Sequence, residues 1–185
     1  MNTATIGTLS SRYARAFYDY AVDNSEEEKV YDEMKLLSSV FLSVPELRKF
    51  LQSPVTALDA KLQILETASG SSISKCSKHF YEFIFDKEKH DLLLYMALAY
   101  LSVYRKAKNL VHADLITAAE PEDGFVESIK QYILKEYNDD TAIELSTVLD
   151  PGIIGGFILN IDGKQLDLSV KGELNNIRKS ILKKL

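Results

Sequence analysis

The sequence predicts a mainly α protein, with an N-terminal six-helix bundle over residues 1–106 and a small α+β module over 107–185. Three observations carry this reading. The first hundred residues hold repeated helix starts and no convincing strand; from Val111 the apolar period becomes that of a strand; and Asp162-Gly163 marks a hairpin between two short apolar runs. A chain of 185 residues has room for one sizeable core or two small ones, since domains of about 100–150 residues are commonest.

In the first half, helices are expected near 5–22, 26–43, 45–51, 57–68, 73–86 and 90–106. Ser25 with Glu28, Ser43 with Glu46, and Thr56 with Asp59 have the spacing of a capping box, in which side chains at both ends satisfy free first-turn amides. Pro45 and Pro54 fall where an element starts or a loop turns, positions that a helix interior rejects. The first helix is unusual. In "SRYARAFYDYAVD" (11–23), 100° spacing gathers Arg12, Arg15, Asp19 and Asp23 into an arc of about 80°. Tyr13, Ala14, Ala16, Phe17, Tyr18, Tyr20, Ala21 and Val22 then spread over about 240°, against the stripe of about 100° that one core requires. The fifth helix repeats the pattern, with Ile73, Cys76, Phe80, Tyr81, Phe83, Ile84 and Phe85 spanning about 200°. Two readings fit: both helices are central in the bundle, or they wall a groove that accepts a partner's amphipathic helix.

In the second half, "LVHADLITA" (110–118) alternates as a strand, and Pro121 opens a helix to Tyr137 carrying Phe125, Ile129, Tyr132 and Ile133 at helical spacing. "AIELSTVL" (142–149) alternates again and passes through Asp150-Pro151-Gly152 into "IIGGFILNI". Asp162-Gly163 suits a type I′ turn, after which "KQLDL" returns as a strand. Ser169 then caps a last helix to about Lys184, with Val170, Leu174, Ile177 and Ile181 on one face.

Composition narrows the function classes. The net charge of −5 gives no concentrated basic face, which argues against nucleic acid as the main partner. Residues 107–170 carry 4 Lys+Arg against 12 Asp+Glu, whereas residues 171–185 carry 5 against 1, so a basic last helix follows an acidic module. One cysteine, Cys76, leaves no internal disulfide, and a reducing compartment is expected. The longest apolar run, Leu92 to Leu101, is half of the roughly 20 residues that span a bilayer, so no direct membrane insertion is expected. A start without a basic, acidic-poor leader points to a bacterial chain.

Catalytic chemistry finds little support. Five of the eight glycines fall within residues 150–174, yet Gly163-Lys164 is followed by Gln165, and Ile158 stands where a phosphate-binding loop needs its first glycine. A dinucleotide fingerprint belongs between a strand and a helix, and these glycines lie in a hairpin pattern, where glycine marks a bulge or a close approach. A small nucleotide-binding protein or enzyme using residues 152–163 is the alternative reading. Cys76 and His79 are half a metal site by spacing, but His90 and His112 have no neighbouring ligand in sequence. No nucleophile elbow is present. Catalytic, cofactor-binding and metal residues are therefore all expected to be none.

Taken together, three blocks resemble the delta subunit family of the F-type ATP synthase, the oligomycin-sensitivity-conferring protein of mitochondria. "RYARAFYDYA" (12–21) is similar to its N-terminal signature, and "ELRKFLQSPVTALDAKLQIL" (46–65) to its second block, with Phe50, Leu51, Ser53, Pro54 and Lys61 in place. "LDPGIIGGFILNIDGKQLDLSVKGELNNIRKSI" (149–181) looks like its C-terminal signature, through Gly155, Gly156, Asp162, Gly163, Asp167, Ser169, Lys171, Leu174 and Arg178. Asn160, Leu168 and Lys89-His90 depart from the family pattern. The resemblance implies a non-catalytic stator, peripheral to the cytoplasmic face of the bacterial inner membrane through its complex. Its bundle would hold N-terminal helices of the alpha subunits, and its C-terminal module the ends of the peripheral-stalk b subunits. The alpha-contact candidates are Tyr13, Ala14, Phe17, Tyr18, Ala21 and Val22 on the first helix, facing Phe80, Tyr81 and Phe85. Lys171, Arg178 and Lys179 are steering charges for the stalk. Gly155-Gly156 is expected to let a strand lie against a helix.

Overall fold

A computed structural model describes residues 3–70, 72–137, 141–161 and 163–182. The architecture is mainly helical with a four-stranded sheet, and the chain divides into two compact units, Met1–Lys106 and Ala107–Leu185.

The first unit contains α1 (Thr3–Asp23), α2 (Glu27–Ser43), α3 (Pro45–Gln52), α4 (Leu58–Ser69), α5 (Lys75–Asp86), a 3₁₀ turn at His90–Leu92 and α6 (Leu93–Ala107). α1 buries a single stripe, Ser10, Ala14, Phe17 and Ala21, at the spacing that stacks side chains on one helix face. Its broad apolar arc is thus only partly consumed by the core. A chain of rings runs inward from it. Phe17 stacks on Phe80 of α5 at 3.9 Å and lies 5.0 Å from Tyr100 of α6, and Tyr104 of α6 stacks on Tyr31 of α2 at 4.3 Å.

None of the three expected capping boxes forms: Ser25 and Ser43 serve the preceding helix, and the cap position of α4 falls one residue after Thr56. Ser25 has φ +54° and ends α1: its amide bonds to Val22 and that of Glu26 to Ala21, the paired pattern of a Schellman stop. Ser43 lies inside α2 and donates back to the Ser39 carbonyl at 2.9 Å. α4 begins after Ala57, which offers no side-chain cap. The cap that does form is Ser74, whose Oγ accepts from the Ser77 amide at the start of α5. Two carboxylates seven residues apart, Glu26 just before α2 and Glu33 within it, complete that end. Glu26 accepts from the Cys76 amide at 3.0 Å, and buried Glu33 accepts from the Ser74 amide at 2.5 Å, the Ser74 hydroxyl at 2.8 Å and the Ser77 hydroxyl. Negative charge suits the amides of a helix N-terminus. The Cys76 amide holds the Glu26 carboxyl below its ordinary value.

The second unit orders its strands β2-β1-β3-β4, with β1 (Leu110–Thr117), β2 (Ala142–Leu149), β3 (Gly156–Ile161) and β4 (Lys164–Ser169). β1 pairs in parallel with β2, which requires the crossover helix α7 (Asp123–Glu136), and antiparallel with β3; β3 and β4 form the hairpin. α7 starts two residues after Pro121 and buries Ile129 and Ile133 against Val111, Ala113, Leu115 and Leu159, while Tyr132 stays exposed. On the opposite face, His112 stands 3.2 Å from both Asp114 and Glu144. Ile161 pairs with Lys164, and Gly163 has the positive φ of +82° expected of the turn; Asp162 lies outside the described residues. α8 (Val170–Leu182) follows β4 directly.

Candidate docking surfaces

The nine residues proposed from sequence for alpha-subunit contact separate into two groups. Ala14, Phe17, Ala21, Phe80 and Tyr81 are core side chains, so they support a surface from beneath and do not form it. Helical spacing groups them in one arc but leaves its rotation about the core open. Tyr81 is tied down further: its hydroxyl lies 2.5 Å from Ser69 Oγ, and burial pushes its phenol upward in pKa. The other four point to three places. Tyr13 leans toward α5, Tyr18 toward Tyr100 and Tyr104 of α6 with Val22 one turn on, and Phe85 stacks on His90 at 5.2 Å with Lys61 Nζ over its ring.

The surface between α1 and α5 is carried by residues that the sequence reading passed over. Ala16 and Tyr20 on α1, and His79 and Phe83 on α5, are exposed, with half-buried Tyr13 among them. Tyr20 and Phe83 keep 42% and 41% of their surface in solvent, although each already has a ring neighbour, His79 at 5.9 Å and Tyr13 at 6.1 Å. Lys87 Nζ covers the far end, 5.6 Å from the Phe83 centroid. Exposed aromatic rings from two adjoining helices, with a lysine at one edge, suit the apolar stripe of a partner helix. Tyr20 and Phe83 did lie in the broad arcs; their exposure was the missing datum. Cys76 and His79 do not form a site: Cys76 is buried against Glu26, and His79 sits on the surface beside Tyr20.

In the second unit the glycines of the block sit where the backbone turns or neighbours come close. Gly156 has φ +71°, and a Cβ there would lie 2.2 Å from the Leu168 carbonyl oxygen, so it is the neighbouring strand that comes close. Gly155 provides the strand-to-helix approach, its site 3.3 Å from Val170 Cγ2. Thr117, Ala119, Pro121, Glu122 and Phe125 line the adjoining cavity of about 400 Å³, a set with no cation for a phosphate. Asp167 Oδ1 accepts from the Ser169 hydroxyl at 2.6 Å and its amide at 2.9 Å, and Ser169 Oγ accepts from the Gly172 amide, capping α8 as expected. The hydroxyl, then the amide, hold the Asp167 carboxyl below its usual value. A Cβ at Gly172 would lie 2.7 Å from that carboxylate, so a side chain there would have to displace Asp167.

α8 has no buried residue. Val170, Leu174, Ile177 and Ile181 form an apolar stripe that is 40–57% exposed along its length. Lys171 and Arg178 share one flank, and Glu173 lies on the other. A helix of this length is marginal alone in water, and beyond Val170, which sits near the Gly155 corner, its stripe stays more than half exposed.

A family model described as ATP synthase delta (OSCP) subunit matches residues 9–181. ATP synthase subunit delta of Parabacteroides distasonis is 33% identical over 177 residues, 96% of this chain and 97% of the relative. That of Phocaeicola vulgatus is 31% identical over 180 residues, 97% and 96% of the two chains. A chain in the cryo-EM structure of the Toxoplasma gondii mitochondrial ATP synthase hexamer shares the fold with a TM-score of 0.68 at 22% identity, covering 94% of this chain and 97% of that one.

Proposed function

The chain belongs to the ATP synthase delta (OSCP) family, and we propose that it is the non-catalytic stator joint that ties the catalytic head to the peripheral stalk. The first unit, read as a six-helix bundle, takes an N-terminal helix of an alpha subunit between α1 and α5. The second takes the C-terminal ends of the stalk b subunits on α8. Rotation of the central shaft loads the head tangentially, and a joint that holds both partners returns that load to the stalk, so proton flow drives ATP synthesis. Among the described residues no helix is long and apolar enough to cross a membrane, which accords with attachment through the complex at the cytoplasmic face of a bacterial inner membrane.

The observation that carries this reading is the exposure of large apolar side chains in each unit, Tyr20 and Phe83 on one and the whole α8 stripe on the other. Aromatic anchors surrounded by near-neutral contacts are the usual form of such interfaces. The test titrates the full chain with a synthetic alpha-subunit N-terminal peptide. Tyr20→Asp and Phe83→Asp should each weaken binding about tenfold or more, and Val22→Asp, on the other flank of α1, should leave it unchanged. Equal losses at all three positions would place the peptide elsewhere.

A further inference from the structure

Between the glycines of the β3 approach sits a residue that chain geometry disfavours. Ile154 has φ +72° and ψ −40°, a region that β-branched side chains rarely adopt. Gly156, two residues on, has nearly the same φ of +71° and is glycine, as the geometry asks. Position 154 asks for the same freedom and carries isoleucine. The side chain is not held there by the core, because Ile154 is 64% exposed while its neighbour Ile153 is buried. Strain of this kind persists where the surroundings impose it, and it gathers at functional positions.

The surroundings do impose it. Asp150 Oδ1 accepts from the Gly152 amide, Ile154 closes the 3₁₀ turn on the Pro151 carbonyl, and the Gly155 carbonyl accepts from the Val170 amide at 3.0 Å. The corner is thereby fastened to the first turn of α8, the end where the exposed stripe begins. An exposed apolar side chain thus stands one residue from the carbonyl that holds the first turn of α8, at a backbone cost that a glycine would avoid.

We propose that Ile154 is an anchor of the docking surface, extending the α8 stripe around the corner so that one helical partner contacts Ile154, Val170 and Leu174 together. The inference rests on the stalk reading of α8. The partner it fits is an amphipathic helix whose apolar seam is flanked on one side by carboxylates, opposite Lys171 and Arg178.

The test uses the full chain and a synthetic peptide of the b subunit's C-terminal helix, with Ile154→Asn, Ile154→Gly and Leu174→Asp compared by thermal melting and calorimetric titration. Asn tolerates positive φ and so keeps the corner without the branched side chain. Both Ile154 variants should melt at least about 3 °C higher than the parent, yet bind the peptide about tenfold or more weakly. Unchanged binding in both, with binding abolished by Leu174→Asp, would overturn the anchor and leave the stalk reading standing. A lowered melting temperature in both would overturn it too, since the side chain would then serve the fold. A parent chain that does not bind the peptide would overturn both readings.

Discussion

α1 and α8 open and close the chain as two amphipathic helices with opposite fates. α1 sends Ala14, Phe17 and Ala21 into the core of its own unit and keeps a second apolar flank, Ala16 and Tyr20, for the surface. α8 sends nothing inward; Leu174 and Ile177 are more than half exposed. Periodicity alone shows that each helix has a stripe. Whether a stripe is covered by the same chain or left for another depends on the elements packed around it.

The strongest way to break this contrast is Phe17→Ala. Phe17 is buried, stacked on Phe80 and tilted against Tyr100, so truncation should cost about 4 kcal/mol, seen as a lower denaturation midpoint of the first unit. A loss below about 1 kcal/mol would mean that α1 is less committed to its core than its burial implies. An intermediate effect should come from the α8 cap. Ser169→Ala should cost about 1 kcal/mol, confined to α8 and read from amide exchange of its first turns. The cap should also be acid-labile. The Asp167 carboxyl is held below its ordinary value of 3.8, so its contribution is complete above that value and is lost as the pH falls through the lower folded-state value. Fraying of α8 that begins above pH 5 would point to another group. The smallest effect sharpens the contrast most. Leu174→Asp should change stability by no more than about 0.5 kcal/mol, since Leu174 is 54% exposed and lies outside the buried core of its unit.

Much of this was legible beforehand, for identifiable reasons. Helices and strands fall within a few residues of their expected bounds because long apolar periods survive small errors at the ends. Ser169 read correctly as a cap because a strand stops there and an apolar stripe starts. Ser25 and Ser43 did not, since a hydroxyl three residues before an acid is equally compatible with ending a helix. Ala14 and Ala21 illustrate a different limit: spacing groups them with Tyr18, but only the neighbours α5 and α6 decide which side of the arc turns inward. Glu33 gave no signal at all. A glutamate in an amphipathic helix reads as surface, and its burial depends on Ser74 and Ser77, which are some forty residues distant in sequence.

That same carboxylate end of α5 has a practical corollary in thiol chemistry. Cys76 is the only cysteine, and burial, followed by the hydrogen bond with Glu26, pushes its thiol up to about 12. At neutral pH almost no thiolate exists to meet an alkylating reagent or an oxidant. Modification therefore waits for α5 to open, and the rate of trapping counts those openings without any engineered probe. Applied to the assembled machine under load and at rest, the same measurement would tell whether torque loosens the joint or leaves it closed.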